Sequence, residues 1–444
     1  MLTLLAIHLL WSLCALVWTT RRHRIPASAA TWAAVILLLP VVGTLIYLAF
    51  GLPQRPHAVR RPGSRGDALS RLIHSGCGTR PTLRNRVKVL HNGNNAFSAL
   101  IAALQRATRT IHMEYYIFRD DRVGRTIADI LIRKARAGVE VRVIYDAVGS
   151  CGLKRKLLHR MHAAGIRTAA YAPVRFPWFR PCSTRRNHRK IAITDGRTAF
   201  LGGINIAKYY LDGDHSGKWR DEHLRMEGDV VADLQCLFLA DWTAATGELT
   251  DPASCIARHD IDEQLSLQVV WSEEGPSRTA IAEAFAALIV RARRRVRICS
   301  PYFLPPTLLL DALRLAVKSG VKVEVMVPAA SDSRLTDLVS DSYVEDLLDA
   351  GADLYRYEAG FLHAKVLLID DQAASVGTAN MDYRSLTANL EVTVILRDRE
   401  TVRRMAATFD RDLAACARID RRNWHPSLLR RTAGDLLRLA APML

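Results

Sequence analysis

The sequence predicts an α/β fold: two similar α/β sandwich halves in a pseudo-two-fold arrangement, preceded by an N-terminal two-helix transmembrane hairpin. Three observations carry this. One motif occurs twice, as His188-Arg189-Lys190, Asp195, Gly202 and Asn205, and again as His363-Ala364-Lys365, Asp370, Gly377 and Asn380. Both copies fit H-x-K-x4-D-x6-G-x2-N residue for residue, and two full matches of that length make a duplicated functional unit the default reading. The same succession of strands and helices leads into each copy. Two apolar runs without a formal charge open the chain.

Residues 1–20 and 30–50 are each near the roughly 20 residues that span a bilayer, with Arg21, Arg22 and Arg24 between them. A cleaved signal peptide is the alternative for the first run, but it lacks a basic n-region and a second span follows at once. Pro40 is placed to kink the second run. Arg55, Arg60, Arg61 and Arg65 follow it and slightly outnumber the loop arginines, so the positive-inside rule leans towards a cytoplasmic catalytic part. The expected division is a hairpin over 1–51, a basic linker over 52–66, a first half over 67–250, a second half over 265–420 and a basic amphipathic tail over 421–444.

In the first half, 97–107 has helical periodicity, 110–118 reads as a strand, 124–137 as an amphipathic helix, 139–145 as a strand and 156–164 as a helix. In the second, 280–291 is helical, 296–299 a strand, 308–319 helical, 321–327 a strand and 343–350 helical, leading through Tyr355-Arg356-Tyr357 to the second motif. Alternating strands and helices imply sheets covered by helices. Two halves packed face to face bring the motifs together. In the tail, leucines interleave with Arg430, Arg431 and Arg438, which suits either a surface helix packed on the body or an interfacial membrane helix.

The net charge of +18 favours an anionic partner, a nucleic acid or an acidic membrane surface. The eight cysteines are scattered without a C-x2-C pair, against a disulfide framework or zinc site. No H-E-x2-H and no Gly-rich phosphate loop occurs. Asp212, Asp214 and His215 read as a solvated loop rather than a metal site.

Lys190–Ile193 and Lys365–Ile369 are apolar runs bounded by Asp, the pattern of buried strands. Residues i and i+2 of a strand share a face, so each His stands beside its Lys. The Gly-x-x-Asn turn admits close backbone approach and adds an amide donor. Such a half-site suits a phosphate, and two facing half-sites surround one phosphorus with paired His, Lys and Asn. Asp195 and Asp370 belong to the catalytic motif, though buttressing of strand ends suits them better than contact with substrate. Glu114 and Tyr115 read as core. Arg384 suits either a lipid phosphate or a structural ion pair.

The paired motifs resemble the phospholipase D superfamily, where they are called HKD motifs. Phe361–Lys365, Val376–Ser385 and Asn389–Glu391, with Arg186–Lys190 and Trp219–Asp221, are similar to bacterial cardiolipin synthases. The resemblance covers nearly the whole chain; Gly203 departs from it where Ser is common. It implies a phosphatidyltransferase of the inner cell membrane that joins two phosphatidylglycerol molecules into cardiolipin and glycerol through a phosphohistidine, without metal or other cofactor. It further implies His188 as nucleophile and His363 as acid and base, which sequence symmetry leaves open. Lys190, Lys365, Asn205 and Asn380 are expected to stabilise the phosphate. Asp221 and Glu391 resemble the carboxylates that fix the imidazole tautomers. The expected partner is anionic phospholipid in the bilayer, with no nucleic acid. A phospholipid hydrolase or another phosphatidyltransferase is the nearest alternative. A nuclease fits the charge but not the two spans, and a scaffold with a dead site fits poorly with intact motifs.

Overall fold

In the computed structural model the described residues are 66–173, 185–273 and 277–438, with residue 441 and scattered positions between 10 and 47. Val59–Pro173 and Arg185–Leu444 belong to one compact unit, which carries both motifs. Most of the expected hairpin lies outside the described residues. Among those described, Trp11 donates to the Thr44 hydroxyl at 3.1 Å and Trp32 meets Tyr47 edge to face at 5.3 Å. No helix among the described residues is long and apolar enough to cross a membrane.

The unit is organised around one 15-stranded sheet. At its middle, Thr82–His91 pairs antiparallel with Gln264–Ser272. From there outward the first half runs Glu222–Gly228, Thr198–Gly202, Lys190–Thr194, Thr110–Tyr115, Glu140–Asp146 and Arg167–Tyr171. The second half runs Glu391–Leu396, Ala373–Gly377, Val366–Ile369, Arg295–Cys299, Lys322–Pro328 and Asp353–Tyr357, then adds Cys416–Ile419 at its edge. The two series match position by position. In each, the outer three strands just matched are parallel and joined by helices, and the inner ones antiparallel. An antiparallel central pair is what a two-fold axis through the sheet requires. Face-to-face packing is present as well: one core cluster joins Ile191, Leu201 and Leu224 of the first half to Val366, Val376 and Val392 of the second. The halves are therefore hydrogen-bonded along an edge in addition to packing face to face.

Local chemistry explains the elements. Lys190–Thr194 is buried along its whole length because helices and sheet cover both faces. It stops at Asp195, which takes a left-handed conformation at φ 55°, as Asp370 does at φ 51° after the second motif. Arg122–Arg136 starts at Asp121, whose side chain accepts from the Gly124 N–H, and ends with Arg133, Lys134 and Arg136 at the negative end of its dipole. Arg334–Ala350 begins well before the expected 343: Ser333 caps it, accepting from Thr336 N–H, and Gly351 closes it in the left-handed region. Its polar first turns hid the apolar periodicity.

One placement differs from the sequence reading, which leaves the tail open between two. Ala68–Cys77, assigned to the first half, packs on Ala280–Arg291 and Gln264–Ser272 of the second, with the Cys77 thiol donating to the Trp271 carbonyl at 3.1 Å. The tail helix Leu428–Arg438 is packed on Arg334–Ala350, where Arg430 pairs with Asp341, Arg431 with Glu345 and Arg438 with Asp346. Its Leu428, Leu429 and Leu436 remain exposed. Asp212 pairs with Arg122 at 2.7 Å and Asp214 accepts from the Ser216 N–H, as a turn would have it.

Candidate active site

The duplicated strands end at one cavity of about 410 Å³, lined by both His188 and His363 and by Asn205 and Asn380. Each histidine is held by the opposite half. His188 Nδ1 lies 2.9 Å from the Glu391 carboxylate, and His363 Nδ1 lies 2.6 Å from Asp221 Oδ2. The backbone repeats the exchange: His188 N–H donates to the Leu390 carbonyl at 2.9 Å, and His363 N–H donates to the Arg220 carbonyl at 2.7 Å. Lys218–Arg220 pairs in parallel with Gly360–Leu362 to bring this about, and Asn187 bridges to Leu390 likewise. The sequence suggested that these carboxylates orient histidines. It did not show that the pairing crosses between halves.

With Nδ1–H given to a carboxylate, each ring presents Nε2 for chemistry. Burial lowers the pKa of His188, against the pull of Glu391. Burial and then the ammonium groups of Lys365 and Lys190 hold His363 well below the ordinary imidazole range. Burial raises Asp221 to about 6 despite Lys365 nearby. Both imidazoles are thus neutral in the free protein at neutral pH. An anion entering the cavity adds the opposite charge and favours their protonation.

Lys190 and Lys365 are buried, and their ammonium groups turn onto the carbonyl oxygens of His188 and His363 rather than into the cavity. Burial brings Lys190 down to about 7 and Lys365 to about 8. Lys365 Nζ also stands 2.9 Å from His363 Nδ1, but that nitrogen's proton faces Asp221, so the contact is between charge and ring rather than a hydrogen bond. Lys190 lies 5.4 Å from the centre of the Tyr116 ring, which meets His188 edge to face at 4.8 Å.

Asp195 and Asp370 are corrected as members of the catalytic set. Asp195 accepts from the backbone N–H groups of Thr108, Arg109 and Thr110, and Asp370 from those of Arg293, Arg294 and Arg295. Each carboxylate ties the entry of the neighbouring strand to the end of the motif strand, and neither lines the cavity. Asn205 also serves the scaffold: its Oδ1 accepts from Ile117 N–H at 3.0 Å and its amide donates to the Tyr210 hydroxyl at 2.8 Å. Asn380 differs, its Oδ1 being buried with no protein partner among the described residues.

Several supports were not legible as motifs. Asn92, at φ 62°, clamps Asp221 from both sides: its N–H donates to the Asp221 carbonyl and its Oδ1 accepts from the Asp221 N–H. The Asn92-Gly93 dipeptide is the signal that marks such a turn. Thr378 donates its hydroxyl to Glu391 at 2.5 Å. Its counterpart is Gly203, where a Cβ would collide with the Asp221 carboxylate; this accounts for the departure noted above. Behind His188, Arg189 is fully buried, pairs with Asp241 and donates to the Glu391 and Ser272 carbonyls. Asn187 donates to Glu114 at 2.5 Å, whose carboxyl burial and Asp241 hold well above the usual range. Glu114 is therefore part of a buried polar network and not simple core.

The family described as "Cardiolipin synthase, PLD-like domain" matches residues 100–242 and 285–413, and one described as "Phospholipase_D-nuclease N-terminal" matches 9–51. Cardiolipin synthase 2 of Bacillus anthracis is 36% identical, the match covering 95% of this chain and 88% of that protein. A cardiolipin synthase of Geobacillus kaustophilus is also 36% identical, over 95% of this chain and 90% of the relative. Among solved structures, a phosphatidylserine synthase of Haemophilus influenzae shares the fold with a TM-score of 0.64 at 14% identity, covering 85% of this chain and all of that one.

Proposed function

The chain belongs to the cardiolipin synthase family of phospholipase D-like proteins, and from that premise we propose that it is a phosphatidyltransferase joining two phosphatidylglycerol molecules into cardiolipin and glycerol. The single observation that carries the mechanism is that His188 and His363 face one cavity, each tethered through Nδ1 to a carboxylate of the other half. In the first step His188 Nε2 attacks the donor phosphorus. The P–N bond forms, the bond to the headgroup glycerol oxygen breaks, and that oxygen leaves with a proton from His363. His363 acquires that proton when the anionic donor binds. In the second step His363 takes the proton of the acceptor's primary hydroxyl, the acceptor oxygen bonds phosphorus, and the P–N bond to His188 breaks. One phosphodiester replaces another, so no nucleotide is consumed. The two ammonium groups behind the histidines stabilise the extra negative charge of the transition state.

The membrane assignment rests on the two uncharged runs and on the family match over residues 9–51. We place residues 1–20 and 30–50 as a hairpin in the inner membrane, with the catalytic unit on the cytoplasmic side. Full-length protein reconstituted in phosphatidylglycerol vesicles is expected to release one glycerol per cardiolipin formed, and His188→Ala to form neither. Phosphatidic acid as the sole lipid product would replace the transferase by a hydrolase.

A further inference from the structure

We propose that Asp332, held by the Tyr302 hydroxyl, forms a polyol subsite in the cavity, where its carboxylate accepts from the glycerol hydroxyl next to the reacting oxygen. This rests on the cardiolipin synthase reading and says how the site selects a glycerol headgroup over other alcohols.

The observation is a broken symmetry. Thr110 and Arg295 are equivalent, each donating its N–H to the motif aspartate of its half. Seven residues on from them stand Ile117 and Tyr302, and both line the cavity. Across the parallel strand pairs Thr110 faces Glu140 and Arg295 faces Lys322. Ten residues on from these stand Ser150 and Asp332. Ser150 is buried and spent on the scaffold, accepting from Phe118 N–H and donating to the Tyr116 carbonyl, both at 2.9 Å. Asp332 instead lines the cavity and accepts from the Tyr302 hydroxyl at 2.5 Å. The second half thus carries a phenol and a carboxylate where the first has an alkyl chain and a buried hydroxyl.

Charge decides what this pair can serve. Two carboxylates line the cavity, those of Asp332 and Asp382. Asp382 is occupied as the N-cap of Tyr383–Thr387, accepting from Ser385 N–H at 2.7 Å. Asp332 keeps one oxygen that accepts from no protein group among the described residues. A carboxylate repels a phosphodiester, so this one belongs with the uncharged part of the substrate. Hydroxyl groups suit it, by charge-assisted hydrogen bonds. An ammonium headgroup suits it less, because the ammonium groups of Lys190 and Lys365 already stand behind the histidines.

Its position agrees with the mechanism. Asp332 acts electrostatically on Lys365 and Tyr209. Tyr209 lies 4.4 Å from Trp219, and Trp219 lies 5.1 Å from His363, ring centre to ring centre. Asp332 therefore stands on the side of His363, which protonates the leaving glycerol oxygen and deprotonates the entering hydroxyl. Both oxygens pass through one position, and in phosphatidylglycerol the carbon next to each bears a hydroxyl. One subsite therefore serves both steps.

The test is a competition between acceptors, with the full-length protein in phosphatidylglycerol vesicles. Labelled glycerol, propylene glycol and n-propanol all take the phosphatidyl group from the same intermediate on His188. The ratio of products is therefore independent of the donor step and of the amount of folded protein. The wild type is expected to favour glycerol and propylene glycol over n-propanol by about tenfold or more at equal concentration. Asp332→Ala is expected to lower that preference about tenfold, and Asp332→Asn, which keeps an acceptor oxygen, to retain part of it. Tyr302→Phe, which leaves the carboxylate unheld, is expected to lower it several-fold and decides the matter if Asp332→Ala does not fold. An unchanged ratio in Asp332→Ala, or a wild type without the preference, overturns the subsite. A wild-type preference for ethanolamine over glycerol that Asp332→Ala abolishes overturns the polyol assignment in favour of an amine. Phosphatidic acid as the sole product of the wild type overturns the functional reading, and the subsite with it.

Discussion

The two halves agree in what touches the reacting atoms and differ in what stands around them. Each supplies a His, a Lys two residues later where the motif strand begins, and a carboxylate that reaches across to the other half's imidazole. Around that shared centre the halves diverge. The first has Gly203 and places Asp221 close to the backbone, with Glu222 N–H donating to it at 2.7 Å; the second has Thr378 donating to the longer Glu391. The first backs its motif with the buried Arg189–Asp241 pair, where the second has Ala364. A duplicated site keeps its chemistry where both copies meet one phosphorus, and is free to specialise where only one copy faces each substrate.

The crossing of the carboxylates offers the largest effect by which to break this comparison. Asp221→Asn and Glu391→Gln are each expected to lower kcat about 10²–10³-fold, because an amide no longer fixes the Nδ1–H tautomer. A double-mutant cycle is expected to couple Asp221 to His363 and Glu391 to His188, with smaller coupling between Asp221 and His188. Coupling within each half instead of across them would undo the geometry.

That crossing marks the limit of what the sequence could say. The duplicated motif and the alternation of elements before it were legible, because each is a local pattern with a local cause; the two carboxylates were named only by the family resemblance. Lys190–Ile193 had to be a buried strand, and it is buried throughout. The partner of each carboxylate was not legible, because it depends on Lys218–Arg220 pairing with Gly360–Leu362 far along the chain. The central strand Thr82–His91 was missed for a related reason. Its Arg84, Arg86 and Lys88 give an alternation that is only half apolar, and its place in the middle of the sheet is fixed by neighbours from both halves. The early start of Arg334–Ala350 was legible in principle from Ser333 as an N-cap but not from hydrophobic period.

A second, smaller effect comes from pH. In the free protein, kcat/KM is expected to rise as Asp221 ionises near pH 6 and to fall as Lys190 and Lys365 lose their protons, near 7 and 8. Each limb changes activity by up to about tenfold per pH unit. Replacing Asp221 is expected to move the acid limb and leave the alkaline one. An alkaline limb that stays in place in both Lys190→Arg and Lys365→Arg variants would assign it to some other group.

Thr378→Val sharpens the comparison at the next scale. It removes the hydroxyl that Glu391 accepts, and a loss of roughly 1 kcal/mol in orientation corresponds to a several-fold fall in kcat. Gly203→Ser, placed at the equivalent position, is expected to do more harm than Thr378→Val, since its Cβ meets the Asp221 carboxylate. The reverse ranking, measured as kcat with matched melting temperatures, would mean that the halves hold their carboxylates in the same way.

The smallest effect expected is on stability, and its sign is informative. Lys190 has a folded-state pKa far below its unfolded value of 10.5. Such a group contributes stability above the unfolded pKa and loses it as pH falls through the folded one, so at neutral pH and below its burial opposes folding. Lys190→Met replaces a buried cation by an apolar chain of similar length. It is expected to raise the melting temperature at neutral pH by roughly 2–4 °C while abolishing transfer. Lys365, lowered less, is expected to give a smaller rise on the same substitution. A fall in melting temperature for both variants would mean that the ammonium groups hold the two histidine carbonyls together more strongly than their burial costs, making them structural ties rather than charges kept in place for a phosphate.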